Sequence, residues 1–306
     1  MNRRTFLSSI AGAALPFSAP AASGPDRAFA RLACTSVSFR HRFAATRPKG
    51  QAASEPDLSL LDLPALFSER LGLRQVEVWS RHFPEPTLAF AEKLRRAAER
   101  AGSRIINLQQ DEPPFELSHP DADRRAASVT TIKHWMDLAA ACGSPSLRAN
   151  VGGRPTDSFD LKATTDSFRR LAEHGAKIGV KILVENHGGH SVKAENVAAL
   201  VAAVASPWCR SLPDFGNLPA GTSMPDRIAF LQKILPFAAL VSAKGMEFDA
   251  DYRHTSYDVG ACVRAAEAAG FTGIYSIELW AANYTPPDPF RAVLALRDEI
   301  ARHLRA

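Results

Sequence analysis

One feature of this sequence limits its fold more than any other: an alternation that runs eight times along the chain. Short runs rich in β-branched and other apolar residues fall at 32–39, 75–80, 104–109, 146–151, 181–186, 209–215, 238–244 and 274–280. Longer stretches with three- and four-residue apolar spacing lie between them. The stretch 88–101, for example, sets Leu88, Ala91, Leu94, Ala98 and Ala101 on one helical face. Gly102, Gly143, Gly179 and Gly270 each stand between a helical stretch and the next strand, where a left-handed residue ends a helix. Asp258, Asp288 and Ser158 are placed to cap helices. Strands separated by helices pair in parallel and are covered on both faces.

Two architectures satisfy that alternation, an open doubly wound sheet and a closed barrel. No G-x-G-x-x-G follows the first strand, and eight units of about 35 residues match the α/β class of (β/α)8 TIM barrel. Such a barrel needs about 250 residues, so the 306 present make one domain, residues 24–306, with a long loop at 44–59 after the first strand.

Residues 1–23 precede the pattern and read as a signal peptide. Arg3 and Arg4 come before Thr5-Phe6-Leu7, an apolar run follows from Ile10 to Phe17, and Ala19-Pro20-Ala21 fits a small-residue cleavage site. Paired arginines ahead of such a run resemble a Tat signal. The expected partner is therefore the Tat export machinery, and the expected location is periplasmic or extracellular with the signal removed. No later stretch reaches the roughly 18 apolar residues of a membrane span, so no stable membrane insertion is expected.

The formal charge of +5 includes Arg3 and Arg4. No Lys/Arg run is interleaved with aromatics, so nothing points to nucleic acid. Cys34, Cys142, Cys209 and Cys262 are far apart in apolar surroundings. A protein exported already folded does not require bridges, so they read as buried free thiols.

In a barrel of this kind the C-terminal strand ends carry the active site, and alternate residues of a strand share a face. That parity offers Glu77 and Trp79, then His82, at strand two, and Asn107 and Gln109 at strand three. Strand four offers Arg148 and Asn150, strand five Glu185 and His187, and strand six Asp214 with Asn217 just beyond. Strand seven offers Ser242 and Lys244, and strand eight Glu278 and Trp280. Packing alone would place Val, Ile and Leu there, because burying converging charges is costly unless they bind something. Glu185, Asp214 and Glu278 each end an apolar run. Three acids facing one space repel, and a divalent cation is the simplest way to keep all three ionised.

The segments V-E-N-H-G-G, D-F-G-N, A-K-G-x-E-F-D and S-I-E-L resemble the xylose isomerase-like, or sugar phosphate isomerase/epimerase, superfamily over the chain from about Leu32 onward. The resemblance implies one divalent metal ion (Mn or Mg, alternatively Zn or Co) held by Glu, Asp, His and Glu on strands five to eight. Glu185, Asp214 and Glu278 match the first, second and fourth ligands. Ser242 stands where the histidine is expected. His187 and His254 are candidate replacements, and Lys244 is either a counter-ion or a third catalytic group. The resemblance further implies enediolate chemistry on a sugar, with Glu185 and Glu278 as acid and base. Glu77, Trp79, His82, Arg148, Asn150, His187, Asn217 and Trp280 would bind a small-molecule carbohydrate. The alternatives are a lyase or dehydratase acting on an oxidised (3-keto) sugar or glycoside, and a non-catalytic carbohydrate-binding barrel. Homo-oligomer formation stays open.

Overall fold

Eight short strands, buried along almost their whole length, form the centre of the molecule. The computed structural model describes residues 28–50, 55–281 and 284–304; the expected signal peptide and part of the 44–59 loop lie outside them. The strands are β1 Leu32–Thr35, β2 Gln75–Trp79, β3 Arg104–Gln109, β4 Ser146–Ala149, β5 Lys181–Glu185, β6 Cys209–Leu212, β7 Leu240–Gly245 and β8 Ile274–Leu279. The helices that follow them are α1 Leu63–Leu71, α2 Leu88–Arg100, α3 Ala122–Ala141, α4 Leu161–Ile178, α5 Ala194–Val204, α6 Met224–Ile234, α7 Val259–Ala268 and α8 Pro289–Ala301.

All strand pairs are parallel, in the order β6-β5-β4-β3-β2-β1-β8-β7. The remaining gap is spanned by bridges pairing Ser211 with Ala238 and Asp214 with Ser242. Pro213 has no N–H to give the ladder, so β6 ends at Leu212 and only isolated bonds continue. The Phe215 N–H donates to the Ser242 carbonyl at 3.0 Å and the Ser242 N–H to that of Pro213 at 2.9 Å. The result is the expected (β/α)8 barrel, nearly closed.

Outward strand residues such as Val76, Val78, Leu147, Ile182, Val184 and Ile277 pack against the helices in one large core. Inside the barrel, Ala33, Ile106, Leu183, Leu212 and Leu240 form a separate apolar plug. Above the plug the inward positions turn polar. Packing is thus confined to one end of the lumen, and chemistry has room only at the C-terminal end.

Most expected strands fall within a few residues of their predicted bounds; β1 does not. It stops at Thr35, and Ser36–Arg42 forms a 3-10 turn. The Thr35 hydroxyl accepts from Val37 N–H, and Ser38 Oγ bonds the Ile277 carbonyl and the Leu279 N–H, which draws the chain across β8. The α4 cap is Asp160 rather than Ser158, its carboxylate accepting from Ala163 N–H at 2.9 Å. Asp258 and Asp288 cap α7 and α8 as expected. Gly102, Gly143, Gly179 and Gly270 all have positive φ, and the four cysteines are free and buried. No helix among the described residues is long and apolar enough to cross a membrane.

Candidate active site

Two buried cations organise the polar end of the barrel. The first is Arg148, 2 % exposed, projecting from β4. Its guanidinium donates to both carboxylate oxygens of Asp111, to the Gln110 carbonyl at 3.1 Å and to Asn150 Oδ1 at 3.3 Å. Its Nε lies 2.8 Å from Glu185 Oε2, close enough for an ion pair but not aligned for a hydrogen bond. Burial works against the charge, but Asp111 and Glu185 raise its pKa above the ordinary range. Asp111 is half-buried, which opposes its charge, yet Arg148 holds its carboxyl well below the usual carboxylate range. Asn150 Nδ2 and Trp79 Nε1 also donate to Asp111, at 2.7 and 2.6 Å.

The second cation is Lys244 on β7, 4 % exposed. Its ammonium is 2.7 Å from Asn217 Oδ1, 2.9 Å from Glu278 Oε1 and 3.4 Å from Asp214 Oδ2. Burial opposes the charge, but Asp214, Glu278 and Glu185 outweigh it and hold the amine protonated above its usual range. The D-F-G-N segment is shaped for this contact. Asp214 Oδ1 accepts from the N–H groups of Gly216 and Asn217 at 2.7 and 2.8 Å, and Asn186 brackets the turn through the Asp214 N–H and carbonyl.

The two glutamates experience opposite surroundings. Burial resists ionisation of Glu278, but Lys244 and the Gln109 amide, at 2.8 Å, keep it below the ordinary carboxylate range. Glu185 is pushed well above that range by burial, which Arg148 opposes and to which Asp214 and Glu278 add repulsion. Its Oε1 accepts one long bond, 3.3 Å, from Asn217 Nδ2.

Not every expected residue reaches this cluster with a free polar atom. Glu77 lies a layer deeper, its oxygens accepting from Asn107 Nδ2 at 2.7 Å and from the Ser276 hydroxyl. His82 packs flat on Phe43, and both ring nitrogens are taken, by Ser36 Oγ at 2.8 Å and Thr46 Oγ1 at 3.0 Å. Burial lowers its pKa to about 3, so the ring is neutral. His187 lies exposed on the rim, its backbone N–H donating to Ser191 Oγ at 3.1 Å. His254 is bonded to the Tyr257 carbonyl in the loop after β7. Trp79 and Trp280 meet edge to face at 6.0 Å. They border a cleft of about 450 Å³ together with Arg40, His41 and Arg81.

Asp111 and Asn186 are the residues that sequence reasoning overlooked. Asp111 continues the alternation Asn107, Gln109 two residues past the end of β3, so strand parity carried into the loop would have found it. Asn186 sits on the outward parity of β5 and gave no such signal.

A model of the xylose isomerase-like TIM barrel family matches residues 67–300. The chain belongs to that family. No curated protein matches it. Among solved structures, this xylose isomerase-like barrel is similar to a xylose isomerase-like TIM barrel protein from Mycobacterium smegmatis in complex with magnesium. The TM-score is 0.63 at 16% identity, covering 89% of this chain and 95% of that one. It is also similar to 3-keto-D-glucoside 4-epimerase from E. coli, with a TM-score of 0.64, 14% identity and coverage of 88% and 98%. An L-ribulose 3-epimerase gives 0.69 at 14% identity, covering 88% and 92%.

The donor set of this family member, as arranged, does not fit a divalent ion. Of the expected ligands, Asp214 and Glu278 face the Lys244 ammonium and Glu185 faces the Arg148 guanidinium. Ser242 offers a hydroxyl where imidazole is expected, and its Oγ is buried without a hydrogen-bond partner. No group of three or more His, Cys, Asp or Glu among the described residues converges as a cation site.

Proposed function

We propose that this chain is a carbohydrate-active enzyme of the isomerase/epimerase kind that moves a proton on a carbon next to a carbonyl. The observation that carries the reading is the buried cluster in which Glu185, Asp214 and Glu278 lie with Arg148 and Lys244 at the C-terminal strand ends. In the reaction one glutamate takes the proton as the C–H bond breaks, and the electron pair passes to the carbonyl oxygen. The fixed cations oppose the negative charge that develops there, in a site that excludes water. Return of the proton from the other glutamate to the opposite face gives an epimer, and to the neighbouring carbon an isomer. Trp79 and Trp280 offer ring faces to the sugar, and Arg148, Asn150, His187 and Asn217 offer polar contacts. Glu77 and His82 support these residues from beneath, since their polar atoms are already bonded.

A second reading, elimination from an oxidised (3-keto) sugar or glycoside, is favoured by the arrangement of Lys244. One ammonium beside Glu278 suits a single enolate oxygen, whereas a carbonyl and its neighbouring hydroxyl would call for a chelating ion. Glu185 then protonates the leaving oxygen.

The test is a panel of free, keto- and glycosidic sugars incubated in heavy water and followed by NMR. Deuterium uptake at one carbon with a new epimer or isomer supports the first reading, and loss of the leaving group supports the second. Binding with no exchange, or no response in Glu185→Gln and Glu278→Gln relative to the parent, sinks both and leaves a carbohydrate-binding barrel. Export through the Tat route belongs to the same proposal. Arg3→Lys with Arg4→Lys is expected to retain the protein in the cytoplasm, and unchanged periplasmic yield refutes it.

A further inference from the structure

Lys244 is built into the acid cluster more completely than a casual counter-ion would be. An ammonium has three N–H donors; here Asn217 Oδ1 at 2.7 Å and Glu278 Oε1 at 2.9 Å take two of them, and Asp214 Oδ2 stands 3.4 Å away as an ion pair without a hydrogen bond. They come from β8 and the loop after β6, so the lysine ties together two parts of the wall that flank its own strand. The stem is fitted as well. A Cβ added at Gly216 would lie 2.9–3.0 Å from the Cβ, Cγ and Cδ of Lys244, so the side chain needs the bare backbone of D-F-G-N to lie where it does. The Glu278 carboxylate meets it from the neighbouring strand, and it is 4 % exposed.

Position 242 agrees with this arrangement. Ser242 faces the same interior two residues earlier, is 1 % exposed and makes no hydrogen bond through Oγ. An imidazole there would give a divalent ion a ligand that a hydroxyl does not match. The chain carries the small, weakly coordinating residue instead. Arg148 completes the compensation by facing Asp111 and Glu185.

We propose that Lys244 is the permanent cation of this site, tethered where a divalent ion would otherwise be held, and that the folded protein carries no catalytic metal. The ligand class follows from the charge it presents. A single ammonium directed at one point recognises one carbonyl or enolate oxygen, not a pair of chelating oxygens. This inference concerns what the site holds, and it stands or falls separately from the reaction assigned to it.

The test is a metal titration read without activity. Purified mature protein is incubated with Mn²⁺, desalted and analysed for bound metal, and free Mn²⁺ is followed by electron paramagnetic resonance. Melting curves are taken with EDTA and with Mn²⁺, since an ion bound only by the folded state raises the melting temperature. The parent is expected to retain well below about one tenth of an equivalent and to melt unchanged in both additives. Lys244→Met uncovers Asp214 and Glu278 and is expected to bind Mn²⁺, with Lys244→Met/Ser242→His binding at least about tenfold more tightly. Lys244→Gln keeps a hydrogen-bonding end and serves if the methionine variant does not fold. A parent protein that holds about one equivalent of metal through desalting, and loses melting temperature in EDTA, overturns the proposal. Folded lysine variants that bind no ion overturn the claim that the lysine fills the ion's place.

Discussion

Glu77→Gln tests how the barrel interior controls a carboxyl that makes no contact with bulk water. Glu77 is 1 % exposed. Burial raises its pKa to about 7, against the hydrogen bonds from Ser276 and Asn107; Glu278 adds to the rise and Arg148 opposes it. A carboxyl whose pKa is higher in the folded state than in the unfolded one favours folding only while it is protonated. Its contribution is complete below the unfolded value of 4.5 and is lost as pH climbs through about 7. At about 1.4 kcal/mol per unit the full loss is about 3 kcal/mol, and about 2 kcal/mol of it falls between about pH 5 and about pH 7. Glutamine preserves the shape, accepts from Asn107 through Oε1, turns its amide toward Ser276 Oγ and cannot ionise. Urea unfolding of parent and variant across that range gives the difference directly, because every other titrating group is common to both and cancels. The variant's advantage should grow by about 2 kcal/mol from about pH 5 to about pH 7. Parallel pH profiles would refute the reasoning, since Glu77 would then ionise as easily inside the barrel as outside it.

Three further outcomes follow from the same geometry. Arg148→Met leaves Asp111 and Glu185 buried without their cation and should lower stability by about 3–5 kcal/mol in chemical denaturation, with Glu185→Gln restoring part of the loss; an unchanged midpoint would mean the guanidinium is not holding the cluster. Gly216→Ala drives a methyl into the Lys244 stem and should cost about 1–3 kcal/mol, a penalty that a Lys244→Ala background relieves in part by removing Cγ and Cδ; the same cost in both backgrounds would rule out those contacts as its cause. Trp280→Ala removes a side chain that is 39% exposed, so stability should move by no more than about 1 kcal/mol while carbohydrate binding, read by calorimetry, weakens; undiminished binding would remove Trp280 from the sugar site.

Much of the site was legible because β-strand geometry is regular. Inward parity named Gln109, Arg148, Glu185, Asp214, Lys244 and Glu278, and the structure places all six in one buried network. Parity failed where the chain left the strands. Asp111 lies just past β3, and the Ser36–Arg42 turn replaced the expected end of β1 because Ser38 bonds to β8, far away in sequence. His82 reads as a sugar-binding residue just after β2, but stacking on Phe43 buries it and Ser36 and Thr46 engage both of its ring nitrogens.

The sequence by itself determined the eightfold alternation, the parallel barrel that follows from it, and the list of charged groups at the strand ends. These are properties of local period and composition, which each segment carries whether or not it is folded. The pairing of those charges was decided only in three dimensions. That Lys244 meets Glu278 and Asp214, that Arg148 is shared between Asp111 and Glu185, and that Glu185 and Glu278 shift in opposite directions depend on distances of about 3 Å between residues on different strands. Coulomb interactions and desolvation change steeply over such distances, so only the closed barrel settles which acid faces which cation.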